Sequence, residues 1–257
     1  MIKFFRKIRQ QMIKENKVTK YVLYAIGEIA LVVIGILIAL QINNSNEAKK
    51  DRAFEVKMLH EIRNELIQDT IYFNMIKERA TTARKGAQGM LNLYPDAQPN
   101  PDSILKYGRM MSTRFLYVYH KGAYEALKST GIDRVSNDSV RLLLTDMYDF
   151  RLPRAQNSIE NDRVEQTSSR NQIKLLANMD IIKMANGIVR PNISPKESFV
   201  GNTEVADLIV ETNNINTNAD RRLTSLLRAS KVLLQLLDRE LEIENVLEGI
   251  PENNWNK

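Results

Sequence analysis

From Tyr21 to Ile42 the chain reads YVLYAIGEIALVVIGILIALQI, an apolar run with a single charged residue, Glu28. At 1.5 Å per residue such a helix reaches roughly 33 Å, enough to cross the hydrocarbon core of a bilayer. Beyond it the pattern changes to an amphipathic one. Leu59, Ile62, Leu66, Asp69, Phe73, Ile76, Ala80, Ala83, Ala87 and Met90 step by three and four, with Asp69 the one break in an apolar seam. That spacing predicts a helix with a coiled-coil-like stripe. No Pro falls between the apolar run and Pro95, and the first Gly is Gly86, so the first helix is expected to continue outward from the span.

Tyr94 to Pro101 reads as a loop, and Asp102 as the cap of a short helix ending at Met111. Phe115, Tyr117 and Tyr119 alternate with period two, which predicts extended chain. Ala123–Thr130 reads as a helix with Leu127 inward and Gly131 as a left-handed C-cap. Asn137 or Asp138 caps the next helix, Ser139–Phe150, expected to bury Val140, Leu143, Leu144 and Met147. Pro153 predicts a bend. A long helix follows from Arg154 to Met184, polar in its first half and returning to the core at Ile173, Leu176, Ile181 and Ile182. Residues 187–195 read as a loop. Val205, Leu208, Thr212, Ile215, Ala219, Leu223, Leu226, Ser230, Leu233 and Leu237 form a second seam within Val205–Leu247. This is one helix, or two joined near Asn213–Asn218. Two long helices bracketing shorter ones predict an all-α fold: a transmembrane helix leading toward an antiparallel bundle.

Charge places the bundle. Residues 1–20 carry seven Lys and Arg against Glu15, whereas 43–257 hold 30 basic and 29 acidic residues. The net charge of +6 is thus a local signal beside the span, which argues against nucleic-acid binding and predicts a cytoplasmic N-terminus. Ile2, Phe5, Ile8 and Met12 with bases opposite suit a short helix lying on an anionic leaflet; a disordered basic tail has the same composition. The run is too long for a signal peptide and lacks its small-residue cleavage site, so an uncleaved anchor is expected. Three regions result: a basic cytoplasmic segment 1–20, a transmembrane helix 21–42 and a helical extracytoplasmic domain 43–257.

The chain has no Cys, which excludes disulfides, thiolate metal sites and thiol catalysis. His60 and His120 are the only histidines, and HExxH, GxSxG, P-loop and GxGxxG patterns are absent. The sequence therefore predicts no enzyme, no metal and no cofactor. His60 beside the first seam reads as a surface residue. Two groups of residues carry functional readings. Gly27, Glu28, Gly35 and Ala39 share a side of the membrane helix where another helix could approach, and the lipids or a partner helix are the expected neighbours. Glu28, about 10 Å below the cytoplasmic edge, either meets a partner or serves proton-coupled work, or is tolerated near the interface. Tyr117, Tyr119, His120 and Tyr124 either line a ligand pocket or pack between helices.

Two blocks carry a resemblance: residues 1–47, with MIKFFRKIRQ, ENK and KYVLYAIGEIALVVIGILIALQINN, and AYEALKSTGIDRVSNDSVR (Ala123–Arg141) with the Tyr148-Asp149 pair behind it. They resemble a family of uncharacterised single-pass proteins of Gram-negative bacteria, a domain of unknown function. Where relatives often continue Asn-Asn-Trp-Asn, this chain has Asn43-Asn44-Ser45-Asn46. The resemblance implies an inner-membrane protein with a periplasmic domain, and no activity. The expected role is a membrane-anchored interaction or scaffold module. A sensor or accessory subunit of an ion-motive complex acting through Glu28 is the alternative, and a ligand-binding bundle the third reading.

Overall fold

A computed structural model describes residues 18–94, 100–173, 177–195 and 201–242. The expectations for residues 1–17 and for 243–257, including the last helix's run to Leu247, lie outside these residues, as do positions 95–99 of the loop after Tyr94. The chain divides into two units that meet between Phe54 and Glu55.

Helix α1 spans Val18–Leu93. In the first unit its apolar side chains face outward: Leu31 is 74% exposed, and Leu23, Ile29 and Ile36 are all above 60%. By length and composition the helix is able to cross a membrane.

In the second unit α1 runs antiparallel to the last helix, α6 (Thr203–Glu240). Arg63 bonds Asp238 at 2.5 Å, and Tyr94 donates to the Asn202 carbonyl at 3.2 Å, so the numbering falls on one helix as it rises on the other. All ten positions of each predicted seam are buried. Side chains at three- and four-residue steps share one face of a helix, and the two faces cover each other. Asn202 caps α6 through the Glu204 and Val205 amides. The Asn-rich stretch does not interrupt it: buried Asn216 donates to the Thr212 carbonyl at 2.8 Å and Thr217 to the Asn213 carbonyl at 2.7 Å, so both side-chain donors are satisfied within the helix, while the Asn216 Oδ1 is buried without a partner.

Between the long helices lie α2 (Pro101–Met111), α3 (Gly122–Gly131), a 3₁₀ turn (Ile132–Arg134), α4 (Asp138–Thr145), a π turn (Asp146–Arg151) and α5 (Leu152–Ile173). The cap of α2 is Asn100, not Asp102. Pro101, with fixed φ and no amide hydrogen, takes the first helical position, and the Asn100 side chain accepts from the Asp102 and Ser103 amides at 2.8 and 3.4 Å. Gly131 closes α3 with φ 117° and ψ 108°, positive in φ but outside the left-handed helical region that the sequence suggested. Asn137 caps α4 as expected. Pro153 does not break the chain there. It sits in the first turn of α5, directly after the π turn.

A larger departure follows α5. Instead of a helix to Met184 and then a loop, Ala177–Lys183 (β1) pairs antiparallel with Val189–Pro195 (β2), with Lys183 opposite Val189 and Ala177 opposite Pro195. Gly187, at φ 80°, makes the turn, and the Asn186 side chain accepts from the Ile188 amide at 3.1 Å. Both strands are edges, so Pro191 costs no ladder bond that a central strand would need. Helices otherwise make up the described fold, which is all-α apart from this hairpin.

The end of α1 packs on α2 and α6 through Ala87, Met90, Ile104, Met111, Val205, Leu208 and Ile209. Gly86 lets α2 approach: a Cβ there would come within 2.6 Å of the Met111 amide nitrogen and 2.8 Å of the Tyr107 carbonyl. Overpacking against backbone costs about 3 kcal/mol and the helix preference of Ala returns about 1. Gly86→Ala is therefore expected to lose about 2 kcal/mol net, measured by urea unfolding of the full chain in detergent.

Candidate functional site

The sequence-derived residues Tyr117, Tyr119, His120 and Tyr124 come together along one side of α1, where Asp69 breaks the apolar seam. Residues 113–121 run extended beside the helix. Val118 and Leu116 are about half exposed while Tyr117 between them is 1% exposed, which is the period-two alternation of the sequence. Tyr72 donates to the Leu116 carbonyl and Arg79 to the Arg114 carbonyl. The strongest tie is Asp69, only 2% exposed. The His120 backbone amide donates to its two oxygens at 3.2 and 3.0 Å, and His120 Nδ1 lies 2.7 Å from Oδ1.

This carboxylate sits in a low-dielectric place, and burial raises its pKa from the ordinary 3.8, with the His120 hydrogen bonds and charge working against that rise. A carboxylate accepts only, so toward an ionised Asp69 the His120 Nδ1 is the donor, on a ring that is half exposed. One turn before Asp69, Glu65 aims Oε1 toward Gly122, and its Oε2 is buried without a hydrogen-bond partner.

The tyrosines pack in pairs. Tyr117 stacks on Phe73 with centroids 5.3 Å apart and tilts against Tyr119 at 6.0 Å. Tyr124 stacks on Tyr148 at 4.6 Å. The Tyr117 and Tyr148 hydroxyls are buried without partners, and burial pushes both well above the usual phenol range. The Tyr124 hydroxyl instead reaches Asp149 at 3.0 Å, and Lys128 joins the same carboxylate at 2.7 Å. Burial first, then Asp149, pushes Tyr124 up to about 12. Sequence reasoning missed Glu65, Tyr148 and Asp149 as members of this group. Glu65 lies four residues from Asp69 and so on the same helical face, a signal that was legible.

The cluster is three carboxylates (Glu65, Asp69 and Asp149) and a histidine ringed by phenols, most of them held in contact with one another. Among the described residues no three His, Asp or Glu side chains converge to hold a metal ion. Its visible action is mechanical: it fastens the extended segment and α3 to α1. His60 is exposed, as expected.

On the membrane-type stretch, a Cβ on Gly27 or Gly35 would meet nothing within 4 Å, Ala39 is exposed and Glu28 is partly covered. The small-residue face is open among the described residues.

These features define a helical protein whose first helix is long and apolar enough to span a membrane. Residues 28–189 match the model of a family of unknown function, DUF6090, and the chain belongs to that family. The match takes in Glu28, Asp69, His120 and the tyrosines and stops before α6. No curated protein and no solved structure matches the chain.

Proposed function

We propose that this protein is a membrane-anchored interaction module: a single transmembrane helix at residues 21–42 holding a helical periplasmic domain against the inner membrane. The observation that carries it is the exposed apolar surface of α1, with Val22, Leu31 and Leu40 all outward on an unbroken helix. A contiguous face of that size is unfavourable in water and is satisfied by lipid tails. The seven Lys and Arg of residues 1–20, against Lys49 and Lys50 just past the span, orient the N-terminus toward the cytoplasm. Gly27, Gly35 and Ala39 offer the face for self-association or a partner helix.

The test is a reporter active only outside the cytoplasm, fused after Lys257. It is expected to be active, and the protein to retain Met1. Replacing Lys3, Arg6, Lys7, Arg9, Lys14, Lys17 and Lys20 with Gln is expected to give mixed orientation. Activity of a cytoplasm-only reporter at the same place, or a mature chain starting near Gln41, overturns the reading.

A second reading rests on Glu28, a carboxyl within the apolar run beside Gly27: a subunit coupled to an ion-motive complex. Glu28→Gln separates the two. Loss of function with intact assembly supports coupling, and survival of both ends it.

A further inference from the structure

Away from the tyrosine cluster, the π turn and α5 meet α6 around a groove of about 400 Å³. Phe150, Arg151, Arg154, Ser158, Arg222 and Ser225 line it. Three arginines from two directions thus line one concave space. Phe150 and Arg151 enter the lining from the π turn, and such turns recur at functional sites.

Two of the arginines are held in place. Arg151 bonds Asp146 through Nε, and Arg222 bonds Asp162 through Nη1 at 2.6 Å. Each pair uses one N–H of the five that a guanidinium carries, so most donors stay available. Arg154 has a different neighbour: its guanidinium lies 5.6 Å from the centre of the Phe150 ring. Three positive groups against two carboxylates leave an excess positive charge, with the Ser158 and Ser225 hydroxyls beside it. Phe150 is 57% exposed, unusual for a phenyl ring on a helical surface.

We propose that this groove binds an anionic ligand, a phosphate- or carboxylate-bearing molecule whose ring or apolar portion rests on Phe150. Arginine forks match the oxygens of either group through paired hydrogen bonds. The volume falls within the range of small-molecule sites, and the mixture of an aromatic platform with a few converging polar groups is what such sites share. The proposal stands apart from the membrane reading, since every lining residue belongs to the second unit.

Inorganic pyrophosphate, titrated calorimetrically into the full chain in a non-ionic detergent at fixed ionic strength, is expected to bind saturably at one site. Arg154→Gln is expected to weaken it about ten- to a hundredfold, the worth of a charge-assisted hydrogen bond or two. Arg228→Gln, which removes an equal charge from an exposed position elsewhere on α6, is expected to leave it within about twofold, a change too small for a lost charge-assisted bond. Unfolding curves of both variants verify that the fold is kept. Repeating the titration in micelles doped with phosphatidylglycerol separates two sources of the same chemistry. Competition identifies a lipid headgroup as the ligand, and unchanged affinity identifies a soluble one. Absence of saturable binding in both micelles, or equal weakening by Arg154→Gln and Arg228→Gln, overturns the proposal.

Discussion

Arg63→Met is expected to destabilise the helical unit by about 3–5 kcal/mol, the cost of leaving a buried charge without its partner. Asp238 is 1% exposed, and the Arg63 Nε is its hydrogen-bond partner at 2.5 Å; its second oxygen is buried and unpartnered. Without Arg63 the carboxylate must ionise alone between α1 and α6, take up a proton, or drag water into the seam. The double variant Arg63→Met, Asp238→Leu is expected to recover most of the loss, since apolar replacements of similar volume spare both desolvation costs. Urea unfolding of the full chain in detergent, followed by far-ultraviolet circular dichroism, measures both. A single-variant loss below about 1 kcal/mol is the range of a solvent-exposed pair and would mean that α1 and α6 do not meet in this register.

The register also shows what a sequence does and does not record. A seam between long helices is written in the spacing of each helix separately, so each step from Leu59 to Met90 and from Val205 to Leu237 marks a position that is buried, without knowledge of the partner. The pairing of Arg63 with Asp238, 175 residues apart, leaves no local trace. Asp69 lies between these cases. A carboxylate in an apolar seam announces that something must satisfy it, but the sequence does not say that His120, 51 residues on, does so.

The hairpin departs from the helix that the sequence predicts for a different reason. Ile181 and Ile182 fit a helical face as well as a strand, and short apolar runs do not separate the two by spacing alone, whereas Ile173 is helical and Leu176 lies outside the described residues. The adjacent β-branched pair Ile181-Ile182 and the Asn186-Gly187 turn were the better guide. For the π turn the only mark was Pro153, and a proline after a helix reads equally as a bend. The groove at Arg154 was invisible for the reason that governs most sites: its residues come from separate elements and are each ordinary on a helical surface.

Asp69→Ala is expected to cost about 3 kcal/mol, the value of the hydrogen bonds that His120 makes to a charged acceptor. Losing them frees residues 113–121 and α3 from α1, so the variant should show faster amide exchange through Tyr117–Tyr124 than elsewhere in the unit. Asp69→Asn keeps one acceptor and the side chain's size, and its smaller loss should depend on pH in a way the alanine variant clarifies. Burial raises the Asp69 pKa above 3.8 in the folded protein, so its folded state holds the proton more firmly than its unfolded state does. The contribution of that proton is fully present below 3.8 and is lost as pH rises through the folded value. Asparagine has no such proton. The advantage of the natural protein over Asp69→Asn should therefore grow on acidification through that window and shrink toward neutrality, measured by urea unfolding across the range. An advantage that shrinks on acidification would mean that the His120 hydrogen bonds, not burial, govern this carboxyl, and that Asp69 is held as a carboxylate by its partner.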